Sequence, residues 1–367
     1  MKSDVIVIGS GQAGVPLAAR LAEAGRMVTL FEAGHLGGTC VNVGCTPTKT
    51  MVASARAAHV ARGAERLGVH AGAVSVDLAA VVDRKDSVVE QWRAGVQRRL
   101  RRADDRLQLV RGKARFVGER QIEAGGQRYS ATTIILNVGA RPGVPSVTGL
   151  EEVEWFDSAG IMELRDLPSH LAIIGGGYIG CEFGQMFRRF GAKVTIMQRG
   201  KHLLPSEDEE ISEAIEEVFR DEGINLVLGA EVEEVANENG GVALRCDGGQ
   251  RTRGSHLLVA VGRVPNTDGI GCEAAGIKLD ERGFVQVDDG YRTSAEGVYA
   301  VGDCTGGPQY THTAWDDHRI LYDILMERRE GGRGGRIAPS TVFTDPQVAR
   351  AGLTERQAKE ERVGYEV

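Results

Sequence analysis

Apolar and polar positions repeat one pattern twice along the chain. In each copy a short apolar run precedes a turn with the spacing Gly-x-Gly-x-x-Gly, a helix-length amphipathic stretch and a second apolar run. The copies span residues 5–31 and 171–197, with turn glycines Gly9, Gly11 and Gly14 in the first and Gly175, Gly177 and Gly180 in the second. A strand, such a turn and a helix are typical of a dinucleotide-binding unit. The pattern therefore predicts an α/β protein with two Rossmann-like units and two dinucleotides.

The two copies differ where their second apolar run ends. Glu32 closes the first copy, and a carboxylate there would accept hydrogen bonds from an adenosine ribose. Gln198 and Arg199 stand at the end of the second copy, where an arginine accommodates a 2'-phosphate. The difference favours NADPH over NADH at the second site, with Lys201 and His202 as further candidate contacts.

Other segments predict the elements that lie between and after the two copies. Residues 48–106 place Ala, Val and Leu every three or four positions, which is typical of helix, and their arginines at 93–102 fit a solvated helix face. Short strands follow in residues 107–129. Three later buried strands end at glycines, namely Gly139, Gly262 and Gly302. The acidic run at 207–210 predicts a negatively charged helix start.

Composition narrows the class of protein. With 42% apolar and 26% charged residues among 367, the chain is typical of a soluble globular protein with two or three domains. A net charge of −7 argues against nucleic-acid binding. The first strand begins at Asp4, which leaves no room for a signal peptide, and no apolar run reaches the length of a membrane span. We therefore expect a cytoplasmic protein, and without typical zinc-site spacings we expect no metal site.

Two of the six cysteines, Cys40 and Cys45, lie five positions apart. A regular helix would separate them by about 7.5 Å along its axis, whereas a disulfide needs Cα atoms within roughly 4.4–6.8 Å. The segment must therefore leave the helical conformation, and Gly44 supplies backbone freedom. Thr46 is predicted to cap a helix that begins at Pro47, which puts Cys45 at a helix N-terminus, where the reactive thiolate is favoured. An ordinary buried disulfide would have the same spacing.

The run Gly37-Gly38-Thr39-Cys40-Val41-Asn42-Val43-Gly44-Cys45, followed by Pro47 and Lys49, resembles the redox-active disulfide motif of the FAD-dependent pyridine nucleotide-disulfide reductases. This family includes glutathione reductase, dihydrolipoamide dehydrogenase and mercuric reductase. Residues 257–266 and 297–304 are similar to two further motifs of the family, in the family's order. The resemblance covers essentially the whole chain. It implies an enzyme that passes electrons from NADPH through FAD to a Cys40–Cys45 disulfide.

The resemblance also implies which residues bind each dinucleotide. FAD is expected on the first glycine turn, with contacts from Gly9, Gly11, Gly14, Glu32, Gly38, Thr39, Gly139, Gly302 and Asp303. The Asp303 carboxylate would accept a hydrogen bond from the ribityl chain. NADPH is expected on the second turn, with contacts from Gly175, Gly177, Gly180, Arg199 and Gly262.

Five residues match positions of catalytic role in the family. Cys45 is expected to face the flavin, and Cys40 is expected to exchange with the substrate. Lys49 and Glu182 match an ion pair beside the flavin's reactive nitrogen, and the pairing is physically reasonable because a buried ammonium without a counter-charge would lose its proton. Tyr178 matches a tyrosine that covers the flavin until nicotinamide displaces it.

The resemblance divides the chain into four parts. Residues 1–150 are the first part of an FAD-binding domain, 151–265 an NAD(P)H-binding domain, 266–336 the return segment of the FAD-binding domain, and 337–367 the start of an α+β dimerisation domain. We expect most of that last domain to be missing from this sequence. A homodimer is therefore expected through a part of the protein that the sequence hardly contains.

The electron acceptor is the least determined feature. Residues 304–321 are richer in His and Asp than the glutathione and dihydrolipoamide enzymes and look closer to the mercuric-reductase-like group. Paired thiolates suit a soft metal ion such as Hg(II), although an N-terminal metal-binding Cys-x-x-Cys domain is absent. A disulfide reductase of the dihydrolipoamide or glutathione type and a non-catalytic flavin redox sensor are the alternatives. Two nucleotide turns favour an enzyme, because a sensor needs no hydride donor site.

Overall fold

A computed structural model describes residues 2–103, 105–328 and 332–366. The strands are β1 (Lys2–Ile8), β2 (Val28–Glu32), β3 (Leu107–Arg111), β4 (Arg115–Gly118), β5 (Gln121–Ala124), β6 (Gln127–Leu136), β7 (Ala140–Pro142), β8 (His170–Ile174), β9 (Lys193–Gln198), β10 (Asn225–Leu228), β11 (Val232–Glu238), β12 (Gly241–Cys246), β13 (Arg251–Gly254), β14 (His256–Val259), β15 (Arg263–Pro265), β16 (Val298–Ala300), β17 (Ser340–Val342) and β18 (Val348–Arg350).

The α-helices are α1 (Gly14–Glu23), α2 (Gly38–Asn42), α3 (Cys45–Gly63), α4 (Leu78–Arg102), α5 (Tyr178–Phe190), α6 (Glu209–Asp221), α7 (Thr311–Leu325) and α8 (Glu355–Glu360). Short 3-10 helices lie at Ala64–Leu67, Leu150–Glu152, Gly160–Glu163, Asp247–Gly249, Glu273–Ala275 and Gly302–Thr305. Within the described residues no helix has the length and hydropathy needed to cross a membrane.

The chain divides into two compact units, each made of three separate segments. Unit 1 comprises Met1–Thr46, Ser87–Arg141 and Arg263–Ala338, and unit 2 comprises Pro47–Asp86, Pro142–Gly262 and Pro339–Val367. Each unit contains one of the two copies of the sequence pattern. The assignment of the predicted domains to FAD, NAD(P)H and dimerisation stays a prediction.

A mostly parallel sheet forms the centre of unit 1. Its strand order is β3-β2-β1-β6-β5-β4, with β16 also paired to β6. Strand β1 pairs in parallel with both β2 and β6. Val5 and Val7 pack into one apolar cluster with helices α1 and α7, whereas Ile6 and Ile8 pack into another cluster on the opposite face. Burial on both faces explains why β1 is a continuous apolar run rather than an alternating one.

Unit 2 repeats this construction on a smaller scale. Its parallel sheet has the order β10-β9-β8-β14 and is accompanied by an antiparallel sheet of order β11-β12-β13. Leu171 and Ile173 of β8 pack with helix α5, whereas Ala172 and Ile174 pack into the cluster that includes the antiparallel sheet. The hairpin of β17 and β18 belongs to the same unit. The predicted α/β class with two Rossmann-like units is confirmed.

Two local predictions were wrong. The helix predicted over residues 48–106 is interrupted, because α3 is followed by a short 3-10 helix and then by irregular backbone up to α4. Gly68 and Gly72 have φ values of +76° and +70° in this interval, a conformation that no α-helix contains. Helix α3 begins at Cys45, so Thr46 lies inside the helix rather than capping it.

Candidate active site

The glycine turn of unit 1 leaves no space for side chains at two positions. Gly9 has a φ of +103°, and a Cβ there would lie 2.2 Å from the carbonyl oxygen of Asn137. A Cβ on Gly14 would lie 2.0 Å from the carbonyl oxygen of Gly9. Helix α1 starts at Gly14 with neither a side-chain cap nor an acid in its first turn. This uncapped helix start is therefore suited to an anion such as a pyrophosphate.

Glu32 is tied to the same turn. Its carboxylate accepts hydrogen bonds from the Ser10 backbone N–H at 2.9 Å, from the Ser10 hydroxyl at 2.5 Å and from the Gly34 N–H at 2.7 Å. These bonds hold the end of β2 against the turn. The residue that was predicted to bind a ribose thus also shapes the turn itself.

The cysteine segment packs directly on this turn. Cys40 lies in the short helix α2, which ends at Asn42, and Cys45 is the first residue of α3. A Cβ on Gly38 would lie 2.7 Å from the Cα of Gly11, so the two glycines are in contact. The predicted departure from regular helix between the cysteines is confirmed. Gly44 serves there by close approach, because its Cβ would lie 3.0 Å from the Thr39 carbonyl oxygen.

Cys40 and Cys45 are both free thiols, and their side chains are hydrogen-bonded to each other. This bond and burial raise the pKa of Cys40 well above its usual range. Cys45 is exposed and lies 3.0 Å from the Thr311 hydroxyl, at the start of α7. The exposed Cys45 is the first residue of α3 and therefore lies at the predicted helix N-terminus.

One residue of the predicted solvated basic face supports the cysteine segment. Arg93 donates from Nε to the Asn42 side chain at 2.5 Å. Asn42 in turn donates to the carbonyl oxygens of Leu36 and Gly38 at 3.1 and 2.8 Å. The prediction of a purely solvated face was therefore wrong for Arg93, which helps to hold the loop that carries Cys40.

Asp303 lies in the 3-10 helix Gly302–Thr305 that follows β16, and its carboxylate accepts no hydrogen bond within the described residues. Burial raises its pKa, an effect that Arg263 opposes and Asp317 reinforces. The preceding Gly302 has a φ of +72° and donates its N–H to the buried Asp317 at 2.8 Å. Gly139, with a φ of +69°, faces open space. The Asp303 carboxylate is thus available to accept a hydrogen bond, and the hydrogen bond from Gly302 to Asp317 fixes the backbone before it.

The glycine turn of unit 2 has nearly the same geometry. Gly175 has a φ of +110°, and a Cβ there would lie 2.4 Å from the Ala260 carbonyl oxygen. A Cβ on Gly180 would lie 1.9 Å from the carbonyl oxygen of Gly175. Nothing lies within 4 Å of a Cβ on Gly177 or Gly262. Helix α5 has no side-chain cap and no acid in its first turn.

The end of β9 differs from the end of β2 in charge. Gln198 accepts a hydrogen bond from the Gly176 N–H at 3.0 Å through its side-chain oxygen. Arg199, which follows it, is exposed. A carboxylate is therefore replaced here by a neutral acceptor with an exposed guanidinium beside it.

Lys49 and Glu182 form the predicted ion pair in unit 2. Lys49 Nζ lies 2.5 Å from Glu182 Oε2, and the Glu182 side chain is only 7% exposed. Its other oxygen accepts the Phe343 N–H at 2.9 Å, and Lys49 Nζ lies 4.6 Å from the centre of the Phe343 ring. Both carboxylate oxygens therefore have donors, as a buried charge requires.

Tyr178, the first residue of α5, donates its hydroxyl to Glu207 at 2.6 Å. The acidic run that contains Glu207 also brings Glu209 near His202 and Glu213, with ligand atoms within 4.8 Å of one another. Both of these latter carboxylates are exposed. Exposed acids on a helix are common, and we assign no metal to them.

Three contacts of the site were not foreseen from the sequence. Thr311 reaches Cys45 across 266 positions, Phe343 reaches Glu182 across 161, and Tyr178 is tied to Glu207 across 29. None of these residues carries a local signal beyond its position in or near a motif. Only the short sequence Val342-Phe343-Thr344-Asp345-Pro346, which resembles the family, indicated that its segment mattered.

Two dinucleotide-type turns, one in each unit, and a pair of adjacent thiols against the first turn define a class of protein: a two-nucleotide oxidoreductase with a redox dithiol. The family model described as pyridine nucleotide-disulphide oxidoreductase matches residues 3–317. The chain belongs to this family of NAD(P)H- and FAD-dependent disulfide oxidoreductases.

Individual relatives agree with this assignment. The chain is 38% identical to a mercuric reductase of Lysinibacillus sphaericus over 372 residues, covering 99% of this chain and 67% of the relative. It is 36% identical to the probable pyridine nucleotide-disulfide oxidoreductase RclA of Escherichia coli, covering all of this chain and 80% of that protein. The structure of the Cu(II) complex of RclA matches with a TM-score of 0.89 at 35% identity, over 98% of this chain and 79% of that one.

The chain spans only part of these relatives. It covers 67%, 66% and 58% of the mercuric reductases of L. sphaericus, Staphylococcus aureus and Bacillus cereus. The family uses FAD and a pyridine nucleotide. The residues of unit 1 fit FAD, because the α1 N-terminus is uncapped, the turn backbone is kept clear by glycine and the Asp303 carboxylate has a free acceptor.

Proposed function

We propose that this chain is the electron-transferring part of an NADPH-dependent flavoprotein reductase whose Cys40–Cys45 dithiol delivers electrons to a soft metal ion such as Hg(II). The observation that carries the proposal is the contact between the cysteine segment and the glycine turn of unit 1, through Gly38 and Gly11. A redox dithiol beside a flavin site is the arrangement that such electron transfer needs.

The glycine turn of unit 1 and Asp303 would hold FAD, which would supply the two-electron link between NADPH and the Cys40–Cys45 disulfide. Reduction of this disulfide breaks one S–S bond and takes up two electrons and two protons, which leaves two thiols. Cys45 is the thiol proposed to face the flavin, with the Thr311 hydroxyl hydrogen-bonded to its sulfur at 3.0 Å. Cys40 is the thiol proposed to meet the acceptor.

Lys49 and Glu182 are proposed to tune the electronics of the flavin. Their close contact supports this role, since Lys49 Nζ lies 2.5 Å from the largely buried Glu182 carboxylate. The Phe343 N–H completes the hydrogen bonding of Glu182. Tyr178 is proposed to cover the nicotinamide position and to move when the nucleotide enters.

NADPH rather than NADH is the proposed donor. Gln198 stands where a carboxylate would otherwise hold a free ribose 2'-hydroxyl and repel a 2'-phosphate. The exposed Arg199 beside it is available to a phosphate. The glycines Gly175, Gly177 and Gly180 would admit the pyrophosphate at the N-terminus of α5.

Hg(II) is the proposed acceptor because two adjacent thiolates bind soft metal ions tightly. Two electrons from the dithiol would convert Hg(II) to Hg(0) and restore the disulfide. The mercuric reductases among the relatives support this choice, and the Cu(II) complex of RclA shows that a relative binds another thiophilic metal. A low-molecular-weight disulfide is the second candidate, which the dihydrolipoyl dehydrogenase of Thermus scotoductus, 35% identical, supports.

An anaerobic NADPH titration of the FAD-loaded protein tests the dithiol proposal. We expect a long-wavelength absorbance band after two electrons, because the Cys45 thiolate then lies against the oxidised flavin. Cys45→Ser should abolish the band, and Cys246→Ala, which alters a buried cysteine of unit 2, should keep it. Direct bleaching of the flavin without the band in the unaltered protein would sink the proposal.

Steady NADPH oxidation with different acceptors then separates the candidates. Hg(II), Cu(II), lipoamide and glutathione disulfide are each supplied with the full-length protein. Turnover with a disulfide alone would favour the second candidate over mercury, and NADPH oxidation with none of them would favour a redox sensor. A cytoplasmic homodimer is inferred from the resemblance, and sedimentation of the full-length protein measures the oligomeric state.

A further inference from the structure

One residue of the acidic run at 207–210 is buried. The run was predicted to be a negatively charged helix start, and Glu209 and Glu210 do lie in the first turn of α6. The side chain of Glu207, in contrast, is only 3% exposed. Helix α6 begins two residues later, at Glu209, so Glu207 does not contribute to its first turn. A buried carboxylate is costly unless donors satisfy both of its oxygens. The partners of Glu207 are therefore informative.

Each carboxylate oxygen of Glu207 has its own donor. The Tyr178 hydroxyl donates to Oε1 at 2.6 Å, and Arg350 Nε donates to Oε2 at 3.0 Å. Arg350 also donates to the Gly352 carbonyl oxygen at 2.8 Å, which fixes the guanidinium. Hydrogen bonds in which one partner is ionised are about twice as strong as neutral ones. Tyr178 is thus held in one position by a charged and oriented acceptor.

Tyr178 occupies a position that matters for the nucleotide. It is the first residue of α5 and directly follows Gly177, at the helix N-terminus proposed to receive the NADPH pyrophosphate. If Tyr178 moves when nicotinamide enters, its bond to Glu207 must break. A carboxylate oxygen would then lose its donor inside the protein, at a cost that the binding of the nucleotide has to offset.

We propose that Glu207, oriented by Arg350, is a positioning residue that latches Tyr178 and thereby weakens the binding of the pyridine nucleotide. The latch is the pair of hydrogen bonds Tyr178–Glu207 and Arg350–Glu207. The inference rests on the proposed function, in which Tyr178 covers the nicotinamide position. If the nucleotide binds only the unlatched form, its apparent affinity is reduced by the fraction of molecules in that form.

Calorimetric titration of the oxidised, FAD-loaded protein with NADP+ tests the latch without requiring turnover. Tyr178→Phe keeps the ring and removes the hydroxyl, so we expect NADP+ to bind about tenfold more tightly, the effect of one hydrogen bond to a charged group. Glu207→Gln should also tighten binding, by less. The double variant should bind no more tightly than Tyr178→Phe alone, because both changes break the same bond.

Asp208→Asn is the matched control. Asp208 accepts the N–H groups of Glu355 and Arg356 at 2.9 and 3.3 Å and so holds the same segment as Arg350, through hydrogen bonds that do not involve Tyr178. We expect the Asp208→Asn variant to bind NADP+ with the same affinity as the unaltered protein. Unchanged or weaker binding by Tyr178→Phe would overturn the latch while leaving the proposed function intact. Failure of the unaltered protein to bind NADP+ would overturn both.

Discussion

The glycine turns of the two units differ in the side chain that accepts a hydrogen bond from the backbone N–H of the second residue of the turn. In unit 1 the Ser10 N–H donates to Glu32, and in unit 2 the Gly176 N–H donates to Gln198, with a separation of 22 residues in both cases. The first glycines have φ values of +103° and +110°. The first glycine and the acceptor position therefore correspond in the two turns, and the charge of the acceptor is one difference between them.

This comparison separates what builds a dinucleotide turn from what selects its ligand. The hydrogen bond from the second N–H is satisfied equally by a carboxylate and by an amide oxygen, so it does not require a charge. A carboxylate nonetheless disfavours a neighbouring 2'-phosphate, whereas an amide does not. The choice between Glu32 and Gln198 thus concerns the ligand more than the fold.

The largest expected effect comes from filling the space that the glycines leave. Gly14→Ala puts a Cβ 2.0 Å from the Gly9 carbonyl oxygen, and Gly180→Ala does the same at 1.9 Å in unit 2. Relief of such overlap costs about 3 kcal/mol, or about 100-fold in affinity. We expect Gly14→Ala to lose FAD and Gly180→Ala to lose NADP+, as measured by FAD retention and calorimetry.

Gly95→Ala, within helix α4, is the control for these substitutions. Its Cβ would meet only the flexible end of Arg98, at 3.8 Å, so both affinities should be unchanged. Full retention of FAD by Gly14→Ala would contradict the expectation that a glycine is needed at this position of the unit 1 turn for binding of the dinucleotide.

An exchange of the acceptors should have an intermediate effect. Gln198→Glu keeps the bond to Gly176 but adds a negative charge, so we expect the preference for NADPH over NADH to fall about tenfold. Glu32→Gln replaces a charged acceptor of three hydrogen bonds, and FAD affinity should fall by about the same factor. Dissociation constants of NADPH and NADH for the unaltered protein and Gln198→Glu measure the first effect. Dissociation constants of FAD for the unaltered protein and Glu32→Gln measure the second. An unchanged NADPH preference in Gln198→Glu would show that the residue does not face the 2'-phosphate.

The smallest effect is expected at a second difference between the units, the residue beside the first glycine. Asn137 Nδ2 donates to the Gly9 carbonyl oxygen at 3.2 Å, whereas Ala260 stands at the corresponding place beside Gly175. Asn137→Ala makes unit 1 resemble unit 2 and should cost about 1 kcal/mol of unfolding free energy. Urea unfolding of the FAD-loaded protein measures it, and NADP+ affinity should not change. A loss of several kcal/mol of unfolding free energy would mean that Asn137 does more in unit 1 than make this one hydrogen bond.

Features that depend on neighbours in the chain were predicted well. The four-residue apolar runs at 5–8 and 171–174 are strands buried on both faces. The two glycine turns are where the spacing indicated, since each depends on sterics within a few residues. The interruption between α3 and α4 was missed because alanine-rich segments have helical periodicity even when glycines end the helix.

Contacts across long stretches of chain were predicted only where the family resemblance supplied them. The resemblance paired Lys49 with Glu182, but nothing in the sequence paired Glu182 with Phe343 or Cys45 with Thr311. The role of Arg93 was misjudged for a related reason. A charged residue on a helix reads as solvated unless the loop that packs against it is known.

The sequence by itself therefore determined the two dinucleotide-type units, the break in helix between the two cysteines and the difference in charge at the ends of β2 and β9. These follow from steric and electrostatic rules that act over a few residues. Only the tertiary structure decided which polar groups complete the site, among them Thr311, Phe343, Glu207 and Arg350. Their contacts depend on how each unit assembles from three distant segments, and many pairings of buried donors and acceptors satisfy the same local pattern.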